Sequence, residues 1–216
     1  MLKTVTNALK GPFYVLGAPS RQVDQGKAVL ASPEDLKTSD PFLLVLEVKD
    51  AKGDPIPFAE VDLWQATSTG EYFFASWRLR GRALADAAGR VEVLTVRPGG
   101  YAGRPGHVHA VVSGVAGVHV PVTTQAYVCP GNRAESMSTE VANIWRSRRD
   151  RNVVRCWTVA PDASGPEKLH FGFPRLSAEH ADLRESVGWW GARMAERGIE
   201  RDVVAVGEHV VRLSSC

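Results

Sequence analysis

The sequence is poor in cysteine. Cys129, Cys156 and Cys216 are the only three in 216 residues. An odd count without a Cys-x-x-Cys pair excludes a disulfide scaffold and a four-cysteine zinc site. Charge of either sign is not in excess. The formal net charge of +2 is too near balance to point to a nucleic-acid partner. The single cationic cluster, Arg146-Ser147-Arg148-Arg149-Asp150-Arg151, reads as a solvated face or loop. No apolar run reaches transmembrane length, and the first ten residues lack the apolar core of a signal peptide. A reducing cytoplasm and no membrane partner are the expectation.

What is present is ordinary globular composition, 44% hydrophobic and 23% charged, with dense turn punctuation. The first forty residues form an irregular lead-in, with one short helix expected near Pro33-Glu34-Asp35-Leu36. Short strands are expected from Phe42 to Val48, Ala59 to Ala66 and Glu71 to Trp77. More are expected from Val91 to Val96, His107 to Val112, Val118 to Val122 and Thr123 to Val128. Glu135 to Arg146 is a helix candidate between strands. Arg155 to Val159 and Leu169 to Phe173 resume strand character. A helix from Ser177, with Leu183, Val187, Trp190 and Met194 at three- and four-residue steps, stops at Gly198. Val203 to Leu213 has strand propensity. The pattern predicts a mainly β protein. Its architecture is an antiparallel β-sandwich with an irregular N-terminal lead-in and a C-terminal helical extension. Residues 1–175 form the sandwich domain. Residues 176–216 form a helix and strand packing on it or on a second subunit. Trp189 and Trp190 face different ways on that helix, which makes a homodimer contact the second reading after core cover.

Chemistry concentrates in four stretches. In Arg104-Pro105-Gly106-His107-Val108-His109, a strand puts both imidazoles on one face, where they can reach one metal ion. Tyr101 lies six residues before His107, across a Gly/Pro turn. By itself a His-x-His pair is more often a packing or surface feature. His119, His170, His180 and His209 stand singly and carry no such suggestion. Trp64-Gln65-Ala66 leads to Gly70-Glu71-Tyr72, which alone reads as a strand aromatic beside a turn. Arg80-Gly81-Arg82 to Gly89 and Gly11-Pro12-Phe13-Tyr14 alone read as loops.

Together and in this order, the four stretches resemble the intradiol ring-cleavage dioxygenases, the family of catechol, hydroxyquinol and protocatechuate dioxygenases. The resemblance runs from Gly11 to His109 and extends to Thr123-Thr124-Gln125-Ala126-Tyr127. It implies non-haem Fe(III) held by Tyr72, Tyr101, His107 and His109, with Tyr101 and His109 axial. The donor set agrees. Two phenolates are hard anionic oxygen donors suited to a trivalent ion. Zinc sites use Cys, His and carboxylate, and ferrous oxygenases use two His and one carboxylate. No Asp or Glu stands at a comparable spacing here.

The resemblance further implies that a small aromatic diol and O₂ are the partners, and that the product is a cis,cis-muconate-type diacid. Such a reaction belongs to aromatic-compound catabolism, for example of lignin-derived rings. Tyr101, Arg104 and Gln125 would act in catalysis. Leu9, Pro12, Tyr14 and Arg104 would line the diol pocket. Hydroxyquinol or catechol is favoured. An acidic substrate would need cations, for which Arg78, Arg80 and Arg82 are candidates. Only ten residues precede Gly11, so the chain resembles compact members without an N-terminal helical dimerisation segment. The rival reading is a β-sandwich module that binds aromatic ligands without turning them over.

Overall fold

A computed structural model describes residues 13–133, 152–159 and 171–216. Two sheets face each other. The larger has six strands in the order β1-β2-β6-β3-β10-β9, and the smaller has four in the order β5-β4-β7-β8. The large sheet comprises β1 (Gln22–Asp24), β2 (Lys27–Val29), β3 (Pro41–Asp50), β6 (Arg90–Val96), β9 (Arg155–Thr158) and β10 (Ala205–Leu213). The small sheet comprises β4 (Glu60–Gln65), β5 (Arg80–Leu84), β7 (His107–Ser113) and β8 (Val122–Tyr127). Among the described residues two α-helices complete the chain, α1 (Pro33–Thr38) and α2 (Ala181–Glu196). No described helix is long and apolar enough to cross a membrane.

β3 reads as a continuous apolar run because both its faces are buried. Leu44, Leu46 and Val48 point between the sheets and meet Val61, Leu63 and Val108 of the small sheet. Leu43 and Val45 point the other way, into a second core with Leu183, Trp190 and Met194 of α2. Burying each of these α2 side chains contributes about 2 kcal/mol. A carboxylate fixes the helix in place. Glu92, buried on β6, accepts from Trp190 Nε1 at 2.9 Å and Ser186 Oγ at 2.7 Å. Trp190 is therefore core, as expected, while Trp189 stays half-exposed between Lys27 and Arg193. At α1, Ser32 and Asp35 form a reciprocal capping box, so the short helix starts where its sequence predicts.

Four expectations change. Glu71 to Trp77 is not a strand, because its backbone is drawn out of the sheet by the side chain of Arg80, as described below. Most of Val118 to Val122 is irregular. His119 makes only an isolated bridge to Ser215, and β8 starts at Val122. Residues 171–173 are irregular too, since Phe171 and Phe173 pack against the core as side chains rather than as a ladder. The division at residue 175 cuts through one sheet, because β10 is inserted between β3 and β9 and runs parallel to β3. The helix expected at Glu135 to Arg146 lies outside the described residues.

Candidate active site

The site is built on the face of the small sheet around β7. His107 and His109 are two residues apart on that strand and are 1% and 2% exposed. Their Nε2 atoms lie 3.2 Å apart. His107 Nδ1 donates to the carbonyl of Pro105 at 2.8 Å, so its Nε2 carries the lone pair. His109 stacks on Trp64, its register partner on β4, with centroids 4.8 Å apart and planes 9° from parallel.

Tyr101 reaches this pair through a tight reversal. Tyr101 and Arg104 exchange backbone hydrogen bonds at 3.1 and 2.9 Å. Ala102 and Gly103 between them have φ of +48° and +73°. Two left-handed residues in a row make a primed two-residue turn. Close packing of the next segment requires Gly106, where an added Cβ would stand 1.9 Å from the Pro98 carbonyl oxygen. The result places Tyr101 Oη 3.3 Å from His107 Nε2.

Tyr72 arrives from the loop after β4. That loop is tied to the Tyr101 loop by Gly99 N donating to Thr67 O at 2.8 Å. The Tyr72 and Tyr101 rings meet edge to face at 5.4 Å, and the Tyr72 and His109 rings lie 6.2 Å apart. Phe13 covers Tyr72 in a parallel stack at 4.3 Å. The structure thus brings Tyr72, Tyr101, His107 and His109 together.

Electrostatics suit a cation. Burial, aided for His109 by its neighbour His107, pushes the imidazoles down, His107 to about 4 and His109 to about 2. Both are neutral at pH 7 and offer lone pairs rather than charges. Burial, then the nearby Tyr101, pushes Tyr72 well above the usual phenol range. Among the described residues four buried side-chain atoms, Trp64 Nε1, Tyr72 Oη, Arg104 Nε and His109 Nδ1, lack a hydrogen bond of ordinary geometry, and of these Tyr72 Oη belongs to the cluster of donor atoms. Such orphans are costly unless something else satisfies them. Among the described residues no group of three or more His, Cys, Asp and Glu could hold a metal. A metal at this place therefore needs the tyrosines, and a set of two phenols and two imidazoles fits Fe(III) better than zinc.

A family profile described as Dioxygenase matches residues 9–135, more than half of the chain. The chain belongs to the intradiol dioxygenase family. It is 28% identical over 147 residues to chlorocatechol 1,2-dioxygenase of Rhodococcus opacus, covering 56% of this chain and 55% of the relative. It is 31% identical over 140 residues to catechol 1,2-dioxygenase of Pseudomonas sp. (strain EST1001), covering 54% and 44%. The chain thus spans about half the length of these curated relatives. Its fold is shared with the dioxygenase domain of a dioxygenase carbohydrate-binding protein fusion from Streptomyces sp. SirexAA-E. That likeness has a TM-score of 0.59 at 18% identity and covers 96% of both chains.

Further side chains surround the four. Arg104 lies 3.3 Å from Tyr101 Oη through Nη1, while its Nη2 donates to Gln125 Oε1 and to Tyr127 Oη. Tyr14 donates to Asp62 at 2.9 Å and packs edge-on against Trp64 at 4.9 Å. Burial and then the Asp62 carboxylate push its hydroxyl up to about 12, so it stays a neutral donor. Leu9 and Pro12 lie outside the described residues.

Two residues of the site carry roles that the sequence does not reveal. Arg80, only 2% exposed, donates to Phe73 O at 3.1 and 2.9 Å and to Phe13 O at 2.6 Å. It clamps the backbone next to Tyr72 to the segment that stacks on it. Tyr127 is the second. Its register partner is His107, as Gln125 is the partner of His109. The signal was the Gln-x-Tyr spacing, which repeats the period of His-x-His on the neighbouring strand. The other two arginines are engaged elsewhere, Arg78 with Asp35 and Arg82 with Glu60 and the Ala18 carbonyl.

Proposed function

We propose that this protein is an Fe(III)-dependent intradiol dioxygenase. On this reading it splits the ring of a catechol-type diol between its hydroxyl-bearing carbons, using O₂, to give a cis,cis-muconate-type diacid. The observation that carries the reading is the convergence of two neutral imidazoles and two buried phenols with no carboxylate among them. Tyr72, Tyr101, His107 and His109 would hold the ion. When bound, ferric iron supplies the Lewis acidity and electron-accepting capacity that let an aromatic diol react with O₂.

The chain's own residues do the rest. Tyr101 Oη, beside the Arg104 guanidinium, would, where a bound ion holds it as the phenolate, take up a proton from an incoming diol and become a neutral phenol. Arg104 places a fixed positive charge against negative charge developing on the ring. Phe13 and Trp64 cover Tyr72 and His109 and keep water away. The substrate we favour is uncharged, catechol or hydroxyquinol. Arg78, Arg80 and Arg82 are all engaged by protein groups, and Asp62 adds negative charge beside Tyr14. An aromatic acid would meet no cation in reserve among these three.

An oxygen-electrode screen of substituted catechols on iron-loaded protein, with product identification, tests the reading. Catechol or hydroxyquinol should be consumed with one O₂ per ring to an intradiol product. Colourless protein that takes up no ferric iron would favour the ligand-binding module instead.

A further inference from the structure

Gln125, Arg104 and Tyr127 form a closed ring of hydrogen bonds. Arg104 Nη2 donates to Gln125 Oε1 at 2.5 Å and to Tyr127 Oη at 2.7 Å. Tyr127 Oη in turn donates to Gln125 Oε1 at 2.5 Å. The carboxamide oxygen therefore takes both donors it can accept. The carboxamide nitrogen makes no hydrogen bond among the described residues, and Arg104 Nε is buried without one. Turning the amide over would set its NH₂ against the Arg104 NH₂, donor against donor, in a buried place.

We propose that Tyr127 is a positioning residue that locks this ring. It leaves Arg104 and Gln125 able to meet a bound diol and O₂ only as hydrogen-bond donors. The proposal deepens the dioxygenase reading and rests on it for the identity of the guest. The arrangement itself is a property of the side chains. Three observations converge. First, β8 pairs with β7 so that Tyr127 faces His107 and Gln125 faces His109. The two residues are thereby delivered to the same face as the histidines by the period of the strand. Second, Tyr127 is 3% exposed and its ring packs 4.9 Å from that of His107. Third, Tyr127 spends its only proton on Gln125 and a lone pair on Arg104, so it has no proton left to offer the guest. Its role is then to hold two other groups rather than to touch the reacting atoms. A site presenting only donors favours a guest on which negative charge grows during reaction over one on which it fades.

Tyr127→Phe keeps the ring contact with His107 and deletes only the hydroxyl. We expect its iron content and charge-transfer colour to match wild type. Its kcat should fall about tenfold, the weight of a charge-assisted hydrogen bond, with KM changed less than kcat. The decisive measurement is a cycle with Arg104→Ala. If Tyr127 works through Arg104, Arg104→Ala and Arg104→Ala/Tyr127→Phe should turn over at the same rate. Equal losses from Tyr127→Phe in both backgrounds would overturn the proposal. A second readout needs no turnover. In the side-chain amide NMR spectrum of the full metal-free chain, the Gln125 NH₂ should be a single sharp pair in wild type and should broaden or shift in Tyr127→Phe. An unchanged Gln125 signal would also overturn it. Should the NMR result hold while no catechol is consumed by wild type, the locked ring stands and the functional reading fails instead.

Discussion

Trp64 and His109 face each other across β4 and β7 with their rings within 9° of parallel and 4.8 Å apart. The indole is 1% exposed. It forms the wall that keeps one imidazole from turning. Trp64→Leu should leave a gap of roughly half a ring beside His109 and cost about 2–3 kcal/mol of stability. Because supporting groups of metal ligands typically matter 10- to 100-fold for affinity, iron should be lost to a chelator at least about tenfold faster. Thermal melting and chelator-exchange kinetics check both parts. Unchanged iron retention would mean that the stack is packing alone.

Removing a phenol or an imidazole tests the donor set directly. Tyr101→Phe and His107→Ala should each bleach the red-brown colour expected of ferric tyrosinate and abolish O₂ uptake with catechol. Visible absorbance and an oxygen electrode suffice. Full activity in either variant would remove that residue from the ligand set.

Arg104 separates binding of the ion from use of it. Arg104→Ala should retain iron, because the guanidinium is no candidate ligand. It should lose about 100-fold or more in kcat, the usual cost of deleting a preorganised charge facing a transition state. Metal analysis alongside steady-state kinetics decides. Loss of iron would make Arg104 structural.

A pH dependence of stability follows from His209, remote in sequence from the site. It lies on β10 opposite Leu46 and is 5% exposed. Burial alone pushes it down to about 4. The unfolded chain takes up this proton near pH 6.5 and the folded chain does not until about pH 4. Stability is therefore fully present above pH 6.5 and declines as pH falls toward 4, by about 3 kcal/mol from this residue. Urea midpoints between pH 7 and 4.5 should show the slope in wild type and a shallower one in His209→Leu. Equal slopes would show that another group carries the effect.

How much of this was legible in the sequence depended on whether the information was local. β3, β4, β6, β7 and β8 follow from short apolar or alternating runs bounded by turns. The His107-x-His109 pair follows from strand period alone. The capping box Ser32 to Asp35 starts α1 as written. What failed was set by partners distant in the chain. Tyr72-Phe73-Phe74 has strand propensity, yet the Phe73 carbonyl is taken by the Arg80 guanidinium and leaves the ladder. Arg80 reads as a loop residue or a candidate cation for an acidic substrate, because nothing near it in sequence predicts that carbonyls of Phe13 and Phe73 would bury it. Tyr127 reads in the sequence as part of a strand without a role, since its role exists only once β8 is in register with β7.

The placement of β10 has a consequence for how the chain is made. His209 lies beside Leu46, roughly 160 residues away along the chain, a long loop to close before any contact rewards it. Until Ala205 to Leu213 has emerged from the ribosome, the long apolar strand β3 is an open edge in a half-assembled sheet. Nascent chains stopped short of that point should therefore be clients for chaperones and prone to clump. Folding of this chain should begin in earnest only after synthesis of its final inner strand.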